Sequence, residues 1–129
     1  MNDTLGLHTT TSHVQEIPVV TADGDVDLST KDILQSALES ACGGPAAPPH
    51  VIVDLRKVPF IDSAGLSLLV EVRKAYQSVC RLAVVIERGT QPERVFRLGR
   101  FETFFTVRYS LEELLEEIAS RGTGLAVKD

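Results

Sequence analysis

Residues 51–70 read VIVDLRKVPFIDSAGLSLLV. The opening run, Val51-Ile52-Val53-Asp54-Leu55, is short, apolar and rich in β-branched residues, the composition of a strand covered on both faces. A polar break follows. Leu66, Leu69, Val70, Arg73 and Tyr76 then recur at helical spacing, with Leu68 and Val72 widening the apolar face, which predicts a helix over about residues 64–79. A buried strand feeding a helix through a tight polar turn is half of a parallel βαβ unit. The turn itself, Phe60-Ile61-Asp62-Ser63-Ala64-Gly65-Leu66, falls just past the end of the strand, where functional groups collect in open α/β sheets.

Working outward, the same alternation repeats. Residues 82–86, Leu-Ala-Val-Val-Ile, form a second buried-strand candidate. Thr90-Gln91-Pro92-Glu93 then opens a helix, with proline in the first turn and a capping glutamate, and Gly99 stops it. Residues 104–109 read as a short strand, and Ser110-Leu111-Glu112-Glu113 opens a final helix with Leu111, Leu114, Leu115 and Ile118 on one side. Upstream, Ser29 and Asp32 have capping-box spacing, and Ile33, Leu34, Ala37, Leu38 and Ala41 give a helical stripe ended by Gly43-Gly44. Residues 14–22 predict a strand. The weak alternation from Leu5 to Thr11 adds a partner for it, with a hairpin turn near residues 11–13. The Pro-rich segment 45–49 is a stiff loop, and the tail from Gly122 is expected to fray. The predicted class is α/β: a mixed, mostly parallel sheet of about five strands with about four helices. With 129 residues the chain is expected to be one domain, its core spanning about 14–120.

Composition narrows the function classes. No apolar run approaches the ~20 residues of a membrane span. The N-terminus lacks the basic and apolar regions of a secretory signal, so a cytoplasmic location is expected. A net charge of -5 argues against nucleic acid or anionic membrane as a partner. The charge is uneven: residues 1–28 hold five acids and no Lys or Arg, whereas residues 81–108 hold six Arg against three Glu. The two cysteines, Cys42 and Cys80, have no metal-ligand spacing and are expected to be thiols in a reducing compartment, a redox role being open. No metal or cofactor is implied.

Three acids crowd into Asp23-Gly24-Asp25-Val26-Asp27, at the end of the preceding strand. Two acid-bearing turns would then meet at one end of the sheet. Turn chemistry and N-capping are the plain structural reading of Asp23, Asp25 and Asp27, and capping the following helix is that of Ser63. Together, however, Gly24-Asp25-Val26-Asp27-Leu28 and Asp62-Ser63-Ala64-Gly65-Leu66 resemble the two signature turns of STAS domains, whose small free-standing members are anti-sigma factor antagonists. The resemblance covers residues 14–120. It implies a binding protein and kinase substrate, not an enzyme. Ser63 would be phosphorylated by a cognate anti-sigma factor that is a serine kinase of the histidine-kinase-like ATPase type. The unmodified form would bind that partner and free a sigma factor, and a serine phosphatase would reset the switch, so that transcription is regulated indirectly in a bacterial stress response. Asp25, Asp27 and Asp62 would flank the phosphoacceptor, with Gly65, Leu66 and Ser67 beside it. Here Asp25 stands where Glu is usual, Ala64 leaves Ser63 as the one hydroxyl of the turn, and Ser67 is a secondary phosphosite candidate.

Physical chemistry agrees with such a switch. A phosphoryl group brings about -1.5 to -2 charge at pH 7. A helix N-terminus tolerates that charge, so the fold need not change. A partner surface shaped for a neutral hydroxyl, however, would have to bury an unpaired dianion beside carboxylates. Other readings are open. STAS domains also serve as non-phosphorylated scaffolds or transporter-associated modules. A phospho-Asp receiver would use Asp54, but no Lys follows the 104–109 strand closely, the next being Lys128. A serine hydrolase would need His8, His13 or His50 beside Ser63, and Ile61 replaces the first glycine of its elbow.

Overall fold

A computed structural model describes residues 6–43 and 48–122. Five strands, β1 (Leu7–Val14), β2 (Ile17–Gly24), β3 (His50–Lys57), β4 (Arg81–Val85) and β5 (Thr106–Arg108), form one sheet in the order β1-β2-β3-β4-β5. The first pair is antiparallel and the other three are parallel. Four helices complete the fold: α1 (Lys31–Cys42), α2 (Ser63–Tyr76), α3 (Gln91–Leu98) and α4 (Leu111–Gly122).

Strand order and handedness decide where the helices lie. Three successive parallel crossovers step the same way across the sheet, and right-handed crossovers stepping one way put their helices on one face. The larger core lies there: Val20, Val51, Val53, Leu55, Leu82 and Val84 from the sheet pack with Leu34 and Leu38 of α1, Leu68, Leu69 and Val72 of α2, and Phe96 of α3. The alternate strand residues Val19, Ile52, Ala83 and Val85 face the other way and are covered by Leu114 and Leu115 of α4. Period-2 alternation thus divides the sheet between two cores, which is why the runs at 51–53 and 82–86 are apolar throughout.

Several local expectations are corrected. The hairpin turn is Gln15-Glu16, not residues 11–13. Val14 pairs with Ile17, and both turn residues have positive φ (54° and 68°), the conformation of a two-residue turn whose twist matches the strands. The predicted single strand over 14–22 is therefore the end of β1 plus most of β2. The Ser29–Asp32 capping box does not form: Asp32 pairs with Lys31 Nζ at 3.1 Å, and Asp27 organises the start of α1. Helix α2 begins at Ser63 and ends at Tyr76, with the Cys80 amide closing onto Tyr76 O. The strand predicted over 104–109 shrinks to three residues, because Phe101–Thr103 form a 3-10 turn and Phe105 packs against Phe96 in the core. At α4 the Ser110 cap is present, its Oγ accepting from the Glu113 amide at 3.2 Å. The tail beyond Gly122 and the middle of the Pro loop lie outside the described residues.

Candidate functional site

The two acid-bearing turns meet at the carboxyl ends of β2 and β3. Val26 and Ile61 form an isolated parallel bridge. The Val26 amide donates to Phe60 O at 2.9 Å and the Asp62 amide donates to Val26 O at 3.1 Å. The parallel pairing of β2 with β3 is thereby extended into the loops, and the segments around Asp27 and Ser63 are held side by side.

Asp27 satisfies its own turn. Its Oδ1 accepts from the Ser29 amide (3.0 Å), Ser29 Oγ (2.9 Å) and the Thr30 amide (3.2 Å). Thr30 Oγ1 accepts from the Asp27 amide and donates to Asp25 O at 2.8 Å, and this side chain is buried. The hydrogen bond from Ser29, supported by those from Thr30, holds the Asp27 carboxyl below its usual range. Asp25 contributes its carbonyl to this turn, and the residue itself is exposed.

Asp62 is the N-cap of α2, correcting the view of Ser63 as the capping residue. Its extended backbone presents Oδ1 to the Gly65 amide at 2.9 Å. Its Oδ2 reaches across to the Leu28 amide at 3.2 Å. One carboxylate therefore caps its helix and ties it to the neighbouring turn. Ser63 follows as the first helical residue, exposed, and its hydroxyl makes no hydrogen bond to any described residue. The Ser63 and Ala64 amides have no carbonyl one turn back, so positive potential collects beside that oxygen. Gly65 is needed for space: a Cβ there would lie 2.7 Å from Ile61 Cγ1 and 2.8 Å from Val26 O. Gly24, at φ +126°, is needed for both conformation and space, because a Cβ would come 1.8 Å from Gly6 O.

A residue without local sequence signal completes the support. Gln91 Oε1 accepts from the Ile61 amide at 2.9 Å, and its Nε2 donates to Ile61 O at 3.0 Å. This pair of bonds fixes the backbone one residue before Asp62. Gln91 is itself aimed by the first turn of α3, where Thr90 Oγ1 accepts from the Glu93 amide and Glu93 Oε1 accepts from the Gly89 amide at 2.9 Å. That amide is the main reason Glu93 titrates below its ordinary value.

Around Ser63 the surface is partly apolar. Leu28 is 71% exposed and Phe60 43%, each next to an anchored backbone position of the two turns. Leu66 is half-buried and packs on the larger core. Together with half-buried Val70 and Phe101 and exposed Ser67 and Lys74 it continues from Ser63 into a groove of about 360 Å³ along α2. The rival chemistries gain nothing from the geometry. Asp54 is engaged by Arg56 through Nε at 3.0 Å and Nη2 at 2.8 Å. His50 starts β3 and so lies a full strand length, roughly 25 Å, from the Ser63 end. His13 sits beside the hairpin turn at that far end of the sheet, and His8, opposite Asp23, is at the Ser63 end but on the edge strand β1, two strands from β3. Among the described residues no cluster could hold a metal ion, and no helix is long and apolar enough to cross a membrane.

The family model of the STAS domain matches residues 8–114. No curated protein sequence matches the chain. Among solved structures, an anti-sigma factor antagonist from Mycobacterium paratuberculosis superposes with a TM-score of 0.79 at 22% identity, covering 88% of this chain and 94% of that one. The Bacillus cell fate determinant SpoIIAA in its phosphorylated form gives 0.61 at 16% identity, over 86% and 99% of the two chains. The murine anion transporter Slc26a9 gives 0.69 at 17% identity, covering 81% of this chain and 18% of the transporter. At these identities the likeness to each structure is one of fold.

Proposed function

We propose that this chain, which belongs to the STAS domain family, is an anti-sigma factor antagonist switched off by phosphorylation of Ser63. One observation carries the reading: an exposed, unbonded hydroxyl at the first position of α2, in a turn whose backbone is anchored on both sides. The partner is an anti-sigma factor of the histidine-kinase-like ATPase type, which transfers the γ-phosphoryl group of ATP to Ser63 Oγ. A serine phosphatase removes it, and all three proteins share a bacterial cytoplasm.

The chemistry asked of this chain is small. It presents Oγ, keeps the turn from yielding, and lets the added charge settle against the amides of α2 without refolding. Discrimination belongs to the interface. Unmodified, Leu28, Phe60 and Leu66 offer apolar contact around a neutral hydroxyl. Phosphorylated, the same patch carries a dianion beside Asp62 and near Asp25 and Asp27, and burying it without a counter-charge costs several kcal/mol, or orders of magnitude in affinity. Of the solved relatives in fold, SpoIIAA is described in a phosphorylated form, a parallel that favours this reading.

The test is incubation with candidate anti-sigma factors and ATP, followed by peptide mass spectrometry. A gain of about 80 Da on the peptide containing Ser63, absent in Ser63→Ala, is the expected result. A gain that persists in Ser63→Ala and vanishes in Ser67→Ala would move the site to Ser67. No gain with any partner, together with unchanged partner binding by Ser63→Asp, would identify a non-phosphorylated scaffold or transporter-associated module instead.

A further inference from the structure

The end of the sheet away from Ser63 holds a second chemical feature. Cys42 closes the last turn of α1, and Cys80 stands at the entry to β4, 38 residues further on. Both are free and buried, at 1% and 5% exposure, and their sulfurs are 3.7 Å apart. Buried cysteines commonly act as small apolar residues, and Cys42 fits that description. Cys80 differs, because it lines a cavity of about 420 Å³ together with Arg73, Gln77, Arg81 and Thr106. The Arg73 guanidinium lies 4.8 Å from the centre of the Phe104 ring, which holds it at the cavity wall. Arg73 and Arg81 thus line the same cavity as Cys80, and cationic surroundings favour a thiolate.

We propose that Cys42 and Cys80 form a reversible disulfide when the folded protein meets a peroxide, with Cys80 reacting first and Cys42 resolving. The Cys80 thiolate attacks one peroxide oxygen, the O–O bond breaks, and the leaving hydroxide takes up a proton to give water. This leaves a sulfenic acid on Cys80. The Cys42 sulfur then attacks the Cys80 sulfur and loses its proton, the S–O bond breaks, and a second water departs. Two thiols are oxidised by two electrons, and one peroxide is reduced to two waters. Cavity access explains the order: a small polar oxidant reaches Cys80, while Cys42 is covered on every side. Electrostatics point the same way. The hydrogen-bonded contact between the two sulfurs lowers the Cys80 pKa. That contact and burial push Cys42 upward. Disulfide formation requires the sulfurs to close from van der Waals contact to about 2 Å. The product ties the end of α1 to the start of β4 and leaves the Ser63 turn untouched, so this inference does not depend on the phosphorylation reading.

The experiment exposes the folded full chain to a few equivalents of hydrogen peroxide, then alkylates it under denaturing conditions. The expected intact mass is lower by about 2 Da, the two hydrogens of a two-electron oxidation. No alkyl groups should be present, and one proteolytic fragment should link Cys42 to Cys80. Dithiothreitol should reverse all of this. Melting temperature should rise by on the order of 10 °C, because the crosslink closes a long loop in the unfolded chain. In Cys42→Ser, a sulfenic acid should be trapped on Cys80 by dimedone with no rise in melting temperature. Arg81→Gln should keep the same product and form it several-fold more slowly. Three results would overturn the proposal: two alkylatable thiols after exposure, oxidation of Cys80 to sulfinic or sulfonic acid without a crosslink, or a bridge between chains.

Discussion

Two aspartates one turn beyond adjacent strands, Asp27 after β2 and Asp62 after β3, do different work. Asp27 gives one oxygen to groups two and three residues ahead of it, and its influence stays inside its own turn. Asp62 gives one oxygen to Gly65 of its own helix and the other to Leu28 of the neighbouring turn. A carboxylate confined to local bonds shapes one loop. A carboxylate shared between loops couples two, and Ser63 sits immediately after the one that couples.

The largest effect that could break this comparison is steric. Gly65→Ala places a Cβ against Val26 O, a backbone atom that belongs to the bridge between the turns. Chemical denaturation should show a loss of about 2–4 kcal/mol. A variant within 0.5 kcal/mol, on the order of a typical surface change, would mean the two turns are not tightly seated. Next come the aspartates themselves. Asp62→Ala should cost about 1–2 kcal/mol and speed amide exchange at both Gly65 and Leu28. Asp27→Ala should cost less and speed exchange only at Ser29 and Thr30. Equal exchange patterns in the two variants would erase the distinction.

Gln91→Ala sharpens it from the other side. It removes both bonds to Ile61, with an expected loss of about 1 kcal/mol and faster exchange at the Ile61 amide. The smallest effect is the pH dependence. The folded Asp27 carboxyl titrates below the 3.8 of an unperturbed group, chiefly through its bond from Ser29. Its contribution is therefore complete above that value and disappears as pH falls through the lower folded value. Urea midpoints measured from pH 5 down to pH 2 should fall less steeply in Asp27→Asn than in the parent chain.

How much of this could be read beforehand depends on whether the partners are near in sequence. The apolar runs at 51–55 and 82–86 announce buried parallel strands because both faces are covered, and the helical stripes between them announce the crossovers. The acid-bearing turns were legible as a pair, and they do meet. The identity of the cap was not: Ser63 and Asp62 are both good N-cap residues, and only the backbone of Asp62, extended before α2, decides between them. The hairpin turn was misplaced because Gln15-Glu16 lacks the Asn-Gly or Gly signal that positive φ normally selects. Gln91 carried no signal at all, since its partner Ile61 lies 30 residues away and a lone glutamine is ordinarily a solvated side chain. Leu28 and Phe60 were visible as apolar residues, and Phe60 is left exposed where the bridge to Val26 turns its neighbour Ile61 inward.

On the function proposed here, charge at Ser63 governs docking while the fold stays the same. Calorimetric titration of the cognate anti-sigma factor with the unmodified chain, Ser63→Ala and the Ser63-phosphorylated chain tests it most directly, with melting curves recorded for each. Near-equal affinity for the first two, a loss of at least about a hundredfold on phosphorylation (roughly 3 kcal/mol), and superimposable melting curves are predicted. Equal affinity for the phosphorylated and unmodified chains would contradict the account.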